Sequence, residues 1–199
     1  LIKATKDDLP FLEKVENDCF PDFQRMSRRM LRLSINSSFQ EALICTIKIR
    51  NTWQQAGTLI MHSHKRSLRI YSIAVLPEYR GLHLGTEMIN RCIERAKIGG
   101  FEKITLEASA DDEKLIGWYR QSGFVRSGLL PDYYAPGRDA VKMELSLGIK
   151  KIKRPRENLV IIDKRNSFKC DIESVKVITA RKYITEKKYQ ELKNARVFN

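Results

Sequence analysis

At Pro77 the apolar residues of this chain change their spacing, and that change constrains the fold more than any other feature of the sequence. Ahead of it, EALICTIKI, AGTLIMHSH and LRIYSIAVL keep a period of two and are rich in β-branched and aromatic residues, with RNTWQQ and KRS between them. They predict three strands of an antiparallel meander. Behind it, Leu84, Met88, Ile89, Cys92, Ile93 and Ala96 recur on one helical face, and Gly99 with Gly100 stops the run. A strand thus passes into a helix through LPEYRGLHLG. Upstream, TKDDLPFLEKVENDCF places Leu9, Leu12, Val15 and Phe20 behind the cap candidates Thr5 and Asp8, and SRRMLRLSI reads as a second short helix. Downstream, KITLEA is a strand, DEKLIGWYRQS a helix with Gly123 just past its end, and AVKMELSL a strand. The order of elements is that of an α/β protein.

A strand that enters a helix through glycines exposes backbone N–H groups at the positive end of the helix dipole, and phosphate is the expected ligand of such a place. Glycine at a strand-to-helix turn also serves geometry alone. The residues here are more specific. YRGLHLG resembles the pyrophosphate-binding loop of the GNAT superfamily of N-acetyltransferases, R/Q-x-x-G-x-G/A at the start of a helix, with Arg80 and Gly85 on the pattern. His83 stands where the pattern has its middle glycine, so a left-handed histidine and a bent loop are expected. IYSIAVLPEYRG, LEASADDEKLIGWYRQSGF and PDYYAPGRDAVKMEL follow in the order seen in RimI-like N-terminal acetyltransferases of ribosomal proteins. The resemblance covers residues 1–148. It implies an α/β GNAT fold: a mixed, mostly antiparallel seven-stranded sheet with splayed central strands and flanking helices. Acetyl-CoA would lie where two parallel central strands part.

Acetyl transfer from a thioester to an amine needs a neutral amine, a polarised carbonyl and a proton for the departing thiolate. The resemblance implies that backbone groups of Ile73 and Val75 bind the pantetheine arm and the thioester oxygen. It implies that Arg80, Gly81, Leu82, His83, Leu84, Gly85 and Thr86 cradle the diphosphate. Glu107 matches the carboxylate that takes the amine proton, and Tyr119 the tyrosine that returns one to sulfur. A phenol of pKa about 10 can serve a thiol of about 8.5 only when closely placed. Asp112 stands where relatives carry Asn beside the coenzyme, and its charge would repel phosphate. Tyr133 and Tyr134, read as a loop, match the wall of a peptide slot. His62 and His64 share a strand face without a third ligand, which is no metal site. The expected activity is acetyl-CoA-dependent acetylation of a primary amine, a peptide or protein N-terminus first and a polyamine or amino acid second. A non-catalytic CoA-binding module that docks on RNA or ribosomes is the reading from another class.

Charge separates the chain into unequal parts. Residues 1–148 carry 22 basic and 18 acidic side chains, whereas residues 149–199 carry 15 and 6. KKIKRPRE marks a basic linker at 149–157, open to two readings: a solvated hinge, or a contact for an acidic partner such as RNA or the ribosome. Beyond it, NLVIID and VKVITA are strand-like and TEKKYQELKNA helix-like, which makes 158–199 a small partial α/β unit. VITARKYITEKKYQELKNARVFN resembles the opening of RimK-type ATP-grasp ligases, without their ATP-binding part. The four cysteines, Cys19, Cys45, Cys92 and Cys170, are far apart in sequence and read as free thiols. No apolar run approaches the roughly 18 residues of a membrane span, and no signal-peptide pattern opens the chain, so a cytoplasmic location away from membranes is expected.

Overall fold

The computed structural model describes residues 1–148, together with residues 178–179 and 182–183. The chain divides into two compact units, Leu1–Lys150 and Lys151–Asn199. In the second, the described residues form one short antiparallel ladder, Ile178 opposite Tyr183 and Thr179 opposite Lys182. The expected basic linker, the remaining elements of 158–199 and the ligase-like segment otherwise lie outside the described residues. Among the described residues no helix is long and apolar enough to cross a membrane.

In the first unit, β1 (Ile2–Lys3) leads to α1 (Leu9–Cys19) and α2 (Arg28–Asn36). Pro10 opens α1, where its missing N–H costs nothing. The Ser27 hydroxyl caps α2 by accepting from the Met30 N–H at 3.3 Å. The meander follows as β2 (Gln40–Ile49), β3 (Thr52–Ser63) and β4 (Ser67–Val75). Then come α3 (Leu84–Ile98), β5 (Lys103–Ser109), α4 (Glu113–Gln121), β6 (Val125–Ala135) and β7 (Arg138–Ser146).

Three details differ from the sequence reading. RNTWQQ is no six-residue connection: Arg50 and Asn51, with φ of 45° and 66°, make a two-residue turn, and β3 begins at Thr52. Both central residues at positive φ match the right-handed twist of the flanking strands, which lets polar residues pair up to the turn. PDYYAPGRDA is no loop either, since its residues up to Ala135 belong to β6, which returns through Pro136 and Gly137 into β7 from Arg138. β1 is too short to leave a periodic signal.

The seven strands are ordered β1-β2-β3-β4-β5-β7-β6. Only β4 and β5 run parallel, joined by the α3 crossover that parallel neighbours require. Their pairing covers just Ser67–Lys103, Leu68–Ile104 and Arg69–Thr105, after which the two strands separate. Period two sends alternate residues to two cores. Leu43, Cys45, Leu59, Met61, Leu68 and Ile70 pack under α3 and α4 with Met88, Ile89, Cys92 and Ile116. Ala42, Ile44 and Ile60 pack on the other face with Leu9, Leu12 and Leu31 of α1 and α2. Each large aliphatic side chain so buried contributes about 1.5–3 kcal/mol, which clamps the paired part of the sheet from both sides and leaves its divergent end to form a cleft.

Candidate active site

The parting of β4 from β5 opens a cleft of about 1500 Å³. Its first wall is the end of β4. The Leu76 N–H donates to Ala56 O at 2.9 Å, so strand alternation turns the peptide groups of Val75 and Ile73 toward the open edge. Among the described residues the Val75 carbonyl already has donors, Arg80 Nε at 3.2 Å and the Cys19 thiol at 3.5 Å. That carbonyl is therefore less free than the sequence reading supposed. The Cys19 thiol is pushed up from its ordinary pKa, chiefly by burial.

After Val75 a single turn at Pro77–Tyr79 swings the chain into the glycine loop. Gly81 takes φ 81°, and His83 takes φ 59° and ψ 11° as the residue before α3, the left-handed histidine expected from the motif. The first N–H groups of α3 have no carbonyl behind them within the helix and converge on this mouth. Arg80, Gly81, His83, Leu84, Gly85 and Thr86 line the cleft, whereas Leu82 is half exposed outside it. A Cβ on Gly85 would stand 3.0 Å from Trp118 Cζ2. A side chain there would press on a tryptophan of α4. The residues present fit a diphosphate: left-handed turns, orphan N–H groups and a hydroxyl meet at one place.

Asp112 has another task. Its Oδ1 accepts from the Leu115 N–H at 2.9 Å and caps α4, so the carboxylate read as a coenzyme contact is committed to helix geometry. Tyr119, on the buried face of α4, is 4% exposed and still reaches the cleft, flanked by the rings of Trp118 at 4.9 Å and Phe124 at 5.7 Å. Burial pushes its hydroxyl well above the ordinary phenol range, so it stays protonated at neutral pH.

The other end of the cleft is aromatic. Tyr133 and Tyr134 both reach it although they are consecutive: the pairing of β6 with β7 is interrupted between Leu130 and Ala135, where Asp132 takes φ 52°, so strict strand alternation does not hold there. Their rings meet edge to face at 4.8 Å, and Phe23 from the loop between α1 and α2 meets Tyr134 at 6.4 Å. Burial pushes the Tyr134 phenol up to about 12. The Tyr134 hydroxyl donates to the backbone carbonyl of Glu107 at 3.3 Å. Glu107 pairs with Arg69 at 2.7 Å.

Sequence reasoning missed Glu16, Arg69, Phe23 and Trp118. Glu16 is 3% exposed; its Oε2 accepts from the Met26 N–H at 2.8 Å and its Oε1 from the Ser72 hydroxyl at 2.9 Å. Burial, the largest cause, raises its pKa against those two hydrogen bonds. Its signal was present, since Glu16 stands four residues after Leu12 on the apolar stripe of α1. Arg69 had none, because on a strand it reads as an outward residue until topology brings β5 beside it. His62 and His64 have ring centroids 4.4 Å apart and do not line the cleft.

Residues 9–124 match the model of the acetyltransferase (GNAT) family. The chain belongs to that family. It is 32% identical over 93 residues to N-alpha-acetyltransferase MAK3 of Arabidopsis thaliana, covering 45% of this chain and 49% of that one. It is 30% identical over 80 residues to the putative ribosomal protein bS18-alanine N-acetyltransferase of Bacillus subtilis, covering 40% and 53%. The chain thus spans about half the length of these relatives. Among solved structures, the ribosomal-protein-S18-alanine N-acetyltransferase of Escherichia coli shares the fold at TM-score 0.66 and 19% identity, over 76% of this chain and 95% of that one. The NatC complex bound to Gag peptide and CoA follows at 0.61 and 20%, over 72% and 92%. The spermidine/spermine acetyltransferase SpeG of Vibrio cholerae stands at 0.57 and 20%, over 72% and 89%. The fold expected from the sequence is the fold observed. The family match ends at residue 124, so Tyr133 and Tyr134 lie beyond it.

Proposed function

We propose that this GNAT protein transfers the acetyl group of acetyl-CoA to the amino terminus of a peptide or protein. One observation carries the choice of acceptor: each carboxylate lining the cleft has a partner within the protein, and those of Asp111, Asp112 and Glu113 stand exposed at its rim. Glu16 accepts from Met26 and Ser72, Glu107 pairs with Arg69, and Asp112 caps α4. Asp111 pairs with Arg138 at 3.5 Å, and Glu113 with Arg126. A polycation is held best by several inner carboxylates without partners, and here both inner ones, Glu16 and Glu107, carry protein donors. Phe23, Tyr71 and Tyr133 are each about 40% exposed, a surface suited to the first side chains of a peptide. The named activities of the Arabidopsis and Bacillus relatives support the same reading.

The coenzyme supplies an activated acetyl group and a thiol leaving group. Around it, the N–H groups of Gly81 to Thr86 hold negative oxygens, and the open edge at Ile73 aligns an amide-bearing chain. Glu107 takes the proton of the incoming ammonium, directly or through a water, so that a neutral amine attacks. Tyr119 faces the same space with its proton retained. The burial that retains it also weakens the acid, so its service is a hydrogen bond to the departing sulfur.

A panel of acceptors tests the proposal: short peptides with free N-termini bearing apolar, small or acidic first residues, spermidine, and free amino acids, each followed by CoA thiol release. Peptides should be turned over, and blocking their N-terminus should abolish the signal. A higher kcat/KM for spermidine than for any peptide would overturn the choice of acceptor.

A further inference from the structure

We infer that Arg69 is a positioning residue, holding Glu107 in its reacting orientation and tying it to the acceptor wall; this rests on the role given to Glu107 above. The argument begins with place. Arg69 opposite Thr105 is the last pair before β4 and β5 part, so its side chain stands at the vertex of the cleft. Glu107 lies two residues beyond Thr105, on the same face of β5 by the period of two. The guanidinium crosses the opening at its narrowest point. Nε donates to Glu107 Oε2 at 2.8 Å, and Nη2 stands 2.7 Å from the same oxygen. Nη2 also donates to the Tyr133 hydroxyl at 2.6 Å, and Cζ lies 5.1 Å from the centroid of the Tyr71 ring. The side chains of Arg69 and Glu107 are 25% and 11% exposed. That separates this pair from the solvated ion pairs elsewhere on the surface, which are dynamic and weak.

The asymmetry of these bonds matters for the chemistry. Both reach Oε2, and Oε1 has no partner among the described residues. A carboxylate without such a clamp rotates and offers either oxygen; this one presents a single oxygen to the cleft, in an orientation set by a planar fork. Lysine could supply the charge but not the fork, and neither the second hydrogen bond to Tyr133 nor the stacking on Tyr71 would survive in the same geometry. Because Tyr133 comes from β6, one side chain links β4, β5 and β6, and the acceptor wall moves with the residue that takes the proton. Placement of a reacting group to within about 1 Å is worth on the order of 10²-fold in rate.

The experiment is a double-mutant cycle on the full chain, with Arg69→Ala, Arg69→Lys, Glu107→Gln, and each Arg69 variant combined with Glu107→Gln. Peptide acetylation, acetyl-CoA affinity by calorimetry and thermal unfolding are measured for each. Arg69→Ala should lower kcat about 10²-fold and leave acetyl-CoA affinity unchanged, because the glycine loop lies at the other end of the cleft. Arg69→Lys should recover only a small part of that loss, and added methylguanidinium should restore activity to Arg69→Ala but not to Arg69→Lys. In the Glu107→Gln background, Arg69→Ala should cost little more, since the residue it positions is gone. Additive losses, or full activity in Arg69→Lys, would overturn the positioning role. Should Arg69→Ala unfold, the lysine variant and its Glu107→Gln partner complete the cycle alone. Full activity in Glu107→Gln would be a different failure, that of the base assignment on which the inference rests.

Discussion

Replacement of Glu16 separates two contributions that the structure superimposes, a buried charge and a pair of hydrogen bonds. Glu16→Ala strands the Ser72 hydroxyl, which is buried, and the Met26 N–H, which is partly buried. A stranded buried donor costs about 1–3 kcal/mol; water can reach Met26, and removal of a desolvated charge returns part of the loss. The balance is about 2–3 kcal/mol, or about 5–10 °C in Tm for a unit of this size. Glu16→Gln keeps an oxygen for Met26 and offers an amide to Ser72, so it should stay within about 1 kcal/mol of the parent at neutral pH. The pH dependence has a definite sign. Burial raises the carboxyl pKa in the folded state, so the stability linked to this group is full below its unfolded value, 4.5, and is lost as pH rises through the folded one. Glu16→Gln should therefore gain on the parent as the solution passes from acid to neutral. Denaturant unfolding at several pH values measures this, with the KM for peptide as a second readout of the Phe20 to Met26 loop. A loss in Glu16→Gln as large as in Glu16→Ala would refute the reasoning, because the charge itself would then be what the site needs.

Two further outcomes follow from the coenzyme side of the cleft. Tyr119→Phe should lower kcat about tenfold or more while leaving acetyl-CoA affinity within twofold, since the hydroxyl acts mainly as the thiolate leaves; equal kcat in single-turnover assays would retire its role. Gly85→Asp should weaken acetyl-CoA binding at least tenfold, about 1.4 kcal/mol, whereas Gly85→Ala isolates the push against Trp118. Calorimetry that finds both unchanged would place the diphosphate elsewhere.

Much of the fold was legible in the sequence because burial here obeys simple periods. The alternation of Leu43 and Cys45 against Ala42 and Ile44 assigns one strand to two cores, and the helical spacing of Met88, Ile89, Cys92 and Ala96 fixes the inner face of α3. β6 was not legible: most of its residues are exposed, its proline and left-handed aspartate disrupt the period, and its register shifts between Leu130 and Ala135. In the site, the loop from Arg80 to Thr86 could be read because backbone geometry writes glycine into sequence. Arg69 could not. Its partners, Glu107 and Tyr133, lie 38 and 64 residues away, and only the sheet order brings them together.

The separation of β4 from β5 bears on a hazard unrelated to catalysis. Beyond Arg69 and Thr105 each of these strands has an edge without a ladder, and an unpaired edge is a template on which another chain can add. Both edges face inward across a common gap and are backed by pairing to β3, with one bulge at Tyr71, and to β7, so a passing strand from a neighbouring molecule meets no flat border there. The outer borders of the sheet are blunted differently: β1 is two residues long, and β6 carries Pro131 and a broken register. The fold therefore keeps a main-chain groove open at its centre whose two edges face each other rather than forming an outer border of the sheet, the kind of border on which strands from other chains add.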